Sequence, residues 1–182
     1  FLLIKPYYLQ EDVTYEELLA LYQDEPPLTE TIFDAYNLWI DAHLDVINTH
    51  IMVRLLGDVL ADRGRNDWFI LKIFDVLMRA GVRVRTVLSN HDCMFLDALG
   101  FNGEARMREM PGTLEVNLQG NSNLELMYAI QHEVISLDAV EQLVHDAYLP
   151  TLVMLDYSLS QDGKLAIMTH APVDLQSIEE LA

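Results

Sequence analysis

Cysteine is all but missing: the 182 residues hold one, Cys93. A single thiol excludes an internal disulfide framework and any zinc cluster built on several thiolates. Positive charge is scarce too. Eleven Lys and Arg stand against 29 Asp and Glu, a formal net charge of −18. Such a chain repels nucleic-acid phosphates and anionic membrane surfaces, so neither is expected as a partner. No apolar run reaches the ~20 residues of a membrane span. The opening Phe1-Leu2-Leu3-Ile4 has no basic start and meets Lys5-Pro6 at once, unlike a secretory signal.

What remains is a chain that is 51% hydrophobic, enough for a substantial core in one domain and too much for global disorder. Its charge is unevenly spread. Acidic residues crowd 11–30 and 133–146, while the basic residues concentrate in 54–108. A basic excess there suits an anionic substrate, and equally suits ordinary surface solvation.

The first 50 residues read as helical. Thr14 and Glu17 have the spacing of a capping box, Pro26-Pro27 breaks the pattern, and a second helix carries Ile32, Phe33, Tyr36, Trp39, Ile40, Leu44 and Ile47. The texture changes at Ile51. Residues 51–56 form a short apolar run ending at Gly57, residues 66–80 an amphipathic helix, and Val82–Leu88 a second apolar run. Together they predict a βαβ unit, with both strands ending on the sheet edge where open α/β folds bind ligands. Asp58 and Asn90 then sit side by side. A helix follows from Asp92, 100–120 is loop-like, and 124–148 is mainly helical. Leu152–Tyr157 reads as a strand, Gln161-Asp162-Gly163-Lys164 as a hairpin turn and Leu165–Thr169 as a further strand.

Chemistry gathers at the ends of three of these runs: Gly57-Asp58-Val59-Leu60-Ala61-Asp62-Arg63-Gly64, Ser89-Asn90-His91-Asp92, and Thr169-His170-Ala171-Pro172. A carboxylate such as Asp58 can bridge two metal ions, which clamp the oxygens of an in-line displacement. Asn90 offers a carbonyl oxygen, and His170 an imidazole nitrogen. His91 could protonate a leaving alkoxide, since imidazole side chains titrate near neutrality. Arg63 carries the fork that grips phosphate oxygens. Each has a plainer reading: a turn Asp, a helix cap at Asn90 or Asp92, a loop arginine, a packed histidine. Their convergence at three strand ends favours the metal site.

In this order and combination the motifs resemble those of calcineurin-like metallophosphoesterases, nearest to the phosphoprotein phosphatases. The form of 57–64 and the extra residues ahead of it are also similar to phosphatase effectors that intracellular bacteria deliver into host cells. The resemblance spans roughly 51–95 and 164–179. It implies an α/β fold, a metallophosphoesterase-type β-sandwich flanked by helices, with 51–182 as its core and 1–50 as a helical insertion or cap. It implies two divalent cations, foremost Mn2+ with Fe or Zn as alternatives. Asp58 would bridge them, with Asn90 and His170 as further ligands. His91 would be the general acid, held by Asp62, with Arg63 on the phosphoryl oxygens and a metal-activated hydroxide as nucleophile. The substrate would be a phosphorylated Ser, Thr or Tyr of a protein, and the location cytoplasmic or within a host cell without a classical signal peptide. The helical segment could recruit a host protein.

The chain departs from the family pattern in places. One extra residue separates Asp58 from Asp62, Ser89 stands for glycine, Asp92 for glutamate, and Ala171-Pro172 for a glycine pair. Asp41-Ala42-His43 has the letters of the family's first motif but falls inside a helical pattern, and reads as surface or packing. The first motif and the last histidine ligand are thus expected outside the chain. His132 and His145 read as ordinary helix residues. Two other functions remain open: a nucleotide or dinucleoside polyphosphate phosphoesterase, and a binding module whose site is vestigial.

Overall fold

A computed structural model describes residues 2–4, 33–34, 37–38, 40–41, 44–46, 48–62, 67–100 and 122–172. The βαβ unit is there. Strand β3 (Met52–Leu55) leads through helix α1 (Asp67–Arg79) to β4 (Arg83–Val87), and the two strands pair in parallel with Met52 opposite Arg83 and Leu55 opposite Thr86. Helix α1 forms because its apolar residues recur on one face. Trp68, Phe69, Leu71, Phe74 and Leu77 are buried. On the outer face Asp75 and Arg79 pair one turn apart at 2.7 Å. The helix stops at Gly81 in the left-handed conformation, and the Val82 amide reaches back to the Leu77 carbonyl at 3.0 Å.

Strand β4 is the middle of a three-stranded sheet, with β3 on one side and the parallel β5 (Leu152–Val153) on the other. Its Val84, Thr86 and Val87 are buried and its Arg83 and Arg85 exposed. Helix α2 (Asn90–Leu99) leaves the end of β4, and α3 (Ser122–Gln131) and α4 (Leu137–Leu143) follow. Residues 144–148 widen into a π-helical turn that carries Tyr148 into the core. There its ring meets Phe74 edge-on at 5.3 Å and Phe95 at 6.4 Å. The Thr151 hydroxyl donates to the Tyr148 carbonyl at 2.7 Å. It therefore accepts at 3.0 Å from Thr86, which ties the π turn to the central strand.

Two expectations are corrected. Residues 1–50 are not purely helical: β1 (Leu2–Ile4) and β2 (Leu44–Val46) pair antiparallel, and helical residues occur at 33–34, 37–38 and 40–41. Leu44 and Val46 pack against the core at strand spacing, so long-range pairing overrides the helical pattern that had included Leu44. Ile40 is itself buried in the core cluster of the βαβ unit. The readings at Thr14, Glu17, Pro26-Pro27 and 101–120 lie outside the described residues.

The run Leu152–Tyr157 is also not one strand. It breaks at Met154-Leu155. β5 serves the parallel sheet, while β6 (Asp156–Leu159) pairs antiparallel with β7 (Leu165–Met168) around the expected turn, with Gly163 left-handed. Asp156 explains the break. Its buried carboxylate pairs with Arg54 of β3, and with Arg85 of β4 at 3.4 Å. This pins the hairpin to the charged ends of two exposed side chains that stand opposite each other on β3 and β4. Tyr157, Leu159, Leu165 and Ile167 of the hairpin are exposed.

The Asp156 cluster makes folding acid-sensitive in a definite direction. Burial raises the Asp156 pKa, but the Arg54 hydrogen bond, the Tyr157 amide and the charges of Arg54 and Arg85 outweigh it, and the net shift is downward. A carboxyl whose folded pKa is depressed stabilises fully above its unfolded pKa and loses that contribution as pH falls through the folded value. Wild type should therefore exceed Asp156→Asn in stability at neutral pH, and the gap should close below about pH 4. Urea midpoints of both proteins between pH 7 and pH 3 check this. A gap independent of pH would remove the ion cluster from the account.

Candidate metal and phosphate site

The three parallel strands deliver their C-terminal ends to one edge. There Leu56–Asp62, Leu88–Asp92 and His170 meet. Gly57 turns the chain off β3 with φ 88°, and Asp58 continues left-handed with φ 53°. Glycine is needed at position 57 for space as well as for φ: a Cβ there would fall 2.5 Å from His170 Nδ1 and 2.7 Å from the Ser89 Cβ. Non-glycine residues tolerate φ > 0 best when they are Asn or Asp, which suits position 58.

Asp58 and His170 are brought together across 112 residues of sequence, with His170 Nε2 3.4 Å from Asp58 Oδ1. His170 Nδ1 lies 2.7 Å from the Leu56 carbonyl oxygen. A carbonyl can only accept, so Nδ1 carries the proton, and in the neutral ring Nε2 is a bare lone pair. That lone pair faces Asp58 Oδ1, which is shielded from solvent and has no hydrogen-bond partner. Two acceptors facing each other need a cation between them. A proton on Nε2 would be a poor answer, because charge-assisted N–H···O bonds run ~2.7–2.9 Å. A divalent ion is a better one: two ligand atoms bound at ~2.0–2.2 Å stand about 3.0–3.5 Å apart. The second nitrogen of the imidazole on a backbone carbonyl is the usual support for a metal-ligating histidine. Asp58 and His170 therefore fit a metal ion. No three His, Cys, Asp or Glu side chains among the described residues converge as a ligand set. Asn90 is the first residue of α2 and is exposed, directly after Ser89, whose hydroxyl accepts from the Asp58 amide at 2.9 Å.

His91 is buried, and its Nδ1 donates to the Ala61 carbonyl at 2.7 Å. Its Nε2 stands 3.7 Å from Asp62 Oδ1. Asp62 thus stays within reach of His91 despite the extra residue between it and Asp58. The loop turns back at Ala61, left-handed at φ 56°, whose amide donates to buried Asp67 Oδ1 at 3.2 Å. Arg63 lies outside the described residues. Asp41, the one described residue of Asp41-Ala42-His43, is exposed and stands 3.8 Å from Lys72 on α1, as a surface charge does. His132 packs against Tyr128 with its ring tilted and His145 pairs with Asp146, both exposed.

Neither Asn90 nor Asp92 caps α2. Ser89 does, in extended conformation, with Asp92 completing a capping box. The sequence carried a signal for this, since Ser-x-x-Asp has capping-box spacing, but not for its further reach. Asp92 is fully buried. Its Oδ2 accepts from the Ser89 amide at 3.1 Å and the Ser89 hydroxyl at 2.6 Å, and its Oδ1 from the amides of Val59 at 3.3 Å and Leu60 at 3.4 Å. The Tyr148 hydroxyl lies beside it, short of hydrogen-bonding geometry, with a pKa driven far up by burial first and by the Asp92 charge second.

Residues 52–182 match the family described as WipA-like, phosphatase domain, and the chain belongs to that family. It is similar to the crystal structure of the phosphatase domain from the Legionella effector WipB, at 31% sequence identity and a TM-score of 0.69. The match covers 92% of this chain and 52% of that one, so this chain spans about half the length of the solved structure. No protein of curated function matches it. No helix among the described residues is long and apolar enough to cross a membrane.

Proposed function

We propose that the chain is the site-bearing part of a metal-dependent phosphatase that hydrolyses phosphomonoesters of Ser, Thr or Tyr in proteins, of the calcineurin-like, phosphoprotein-phosphatase type. The observation that carries this reading is the bare face of His170 Nε2 against the unpartnered Asp58 Oδ1, beside a His91–Asp62 pair on the same sheet edge. On this reading β3–β4–β5 is one sheet of a β-sandwich and β6–β7 belongs to the other. Residues 51–182 form the phosphatase core and 1–50 an insertion or cap.

Asp58, His170 and Asn90 would hold divalent cations, Mn2+ foremost. Bound there, the cations supply Lewis acidity and activate water at neutral pH. His91 does the proton work on the leaving group. Its Nδ1 is committed to the Ala61 carbonyl, so the transferable proton sits on Nε2, the atom facing Asp62. Asp62 aims that nitrogen and stabilises the imidazolium, while Arg63 would grip the phosphoryl oxygens. The likeness to an effector phosphatase supports delivery into a host cell and a host phosphoprotein as substrate, with a host partner for the segment at 1–50.

The test is hydrolysis of an aryl phosphate and of phosphopeptides by the purified protein with Mn2+ and after chelation. Chelation should abolish turnover and Mn2+ restore it. His91→Ala should lower kcat by roughly 10²–10⁴-fold, the usual contribution of a positioned acid. Undiminished turnover in the chelated protein would sink the metal dependence, and undiminished turnover in His91→Ala the acid's role.

A further inference from the structure

A capping box normally closes on its own helix. The one at Ser89 and Asp92 does not stop there. The Ser89 hydroxyl gives its proton to Asp92 Oδ2 at 2.6 Å, which leaves its lone pairs for N–H donors. One takes the Asp92 amide at 3.1 Å, and the other the Asp58 amide at 2.9 Å, 31 residues away in sequence. Asp92 Oδ1 then takes the next two amides of the same loop, Val59 and Leu60. Three successive N–H groups of the turn that carries Asp58 are thus held by two side chains from the start of α2. The turn needs holding, because Asp58 is left-handed, and such backbone at a non-glycine residue persists where its surroundings over-determine it.

We propose that Ser89 and Asp92 are a pair of positioning residues for the metal site: Asp92 orients the Ser89 hydroxyl, and Ser89 fixes the Asp58 peptide so that its carboxylate stays opposite His170. The assignment rests on the metal-site reading above. Neither residue touches the reacting atoms. The pair works only in this form, since the hydroxyl must be anchored by an acceptor before it can accept from two amides.

The experiment compares wild type with Ser89→Ala and Ser89→Thr. It reads kcat and KM on an aryl phosphate at saturating Mn2+, the Mn2+ dissociation constant by calorimetry, and amide exchange of Asp58, Val59 and Leu60 without metal. Ser89→Ala is expected to weaken Mn2+ binding and lower kcat by about 10–100-fold each, as loss of a group behind a metal ligand does. KM should stay near wild type, Asp58 exchange should speed up, and Thr, which keeps the hydroxyl, should restore most of the loss. A Ser89→Ala protein that is merely less stable, with wild-type kcat, Mn2+ affinity and Asp58 exchange, overturns the positioning role alone. A wild type that neither binds Mn2+ nor hydrolyses the ester overturns the metal-site reading, and this assignment with it.

Discussion

Asp58→Asn is expected to lower aryl phosphate turnover at least about 100-fold, since removing groups one shell further out already costs 10–100-fold in metal sites. It should do so without unfolding the protein. Asn is the right probe because it keeps the shape and, with Asp, tolerates the left-handed φ of 53° that position 58 adopts better than other non-glycine residues do. The lost oxygen, Oδ1, makes no hydrogen bond, and the change removes one negative charge from a chain of net charge −18. Neutralising a shielded, unpartnered oxygen should leave stability without metal no lower than wild type. The contrast appears when Mn2+ is added. A ligand at 100 times its Kd stabilises the folded state by about 2.7 kcal/mol, so wild type should shift upward in a melt and Asp58→Asn should shift far less. Equal Mn2+ stabilisation of the two proteins would show that Asp58 does not hold the ion. Equal turnover would show that the reaction does not use it.

Asp92→Ala is expected to have the largest effect on stability, about 3 kcal/mol or more, because it leaves three backbone amides without their acceptor. The carboxylate accepts from three backbone amides and one hydroxyl, all at the base of the site, and has no solvent contact. The hydroxyl of Ser89 can turn elsewhere. The amides of Ser89, Val59 and Leu60 cannot, and each orphaned buried donor costs about 1–3 kcal/mol. Domains are stable by only about 5–15 kcal/mol in all. The urea midpoint should fall accordingly, and Asp92→Asn, which keeps one acceptor oxygen, should lie between the two. A midpoint for Asp92→Ala within error of wild type would mean that the loop amides find other partners, and that the network is not what holds the turn.

The elements that were legible in the sequence share a cause. The βαβ unit shows because buried parallel strands read as continuous apolar runs and α1 repeats its apolar residues at helical spacing. The hairpin shows because Gly163 sits where the turn needs φ > 0. Other features did not show because their cause lies far away in the chain. Leu44 and Val46 become strand by pairing with residues 2–4. The apolar run through Leu155 breaks because Arg54 and Arg85 draw Asp156 out of line with β5. Ser89 read as a mild replacement for glycine, because nothing local announces a hydrogen bond to a peptide 31 residues back.

The candidate site divides the same way. Sequence by itself determined which groups stand at the strand ends: Asp58 and His91 each follow an apolar run that the βαβ rule orients, and His170 ends a further run outside that unit. Only the tertiary structure decided what those groups face. The Leu56 and Ala61 carbonyls choose the proton-bearing nitrogen of each imidazole, and so turn His170 Nε2 toward Asp58 and His91 Nε2 toward Asp62. Backbone carbonyls have no letter in the sequence. Their positions depend on left-handed turns at 57, 58 and 61, and the amides of 58–61 find their acceptors in Ser89, Asp92 and Asp67, side chains from elsewhere in the fold.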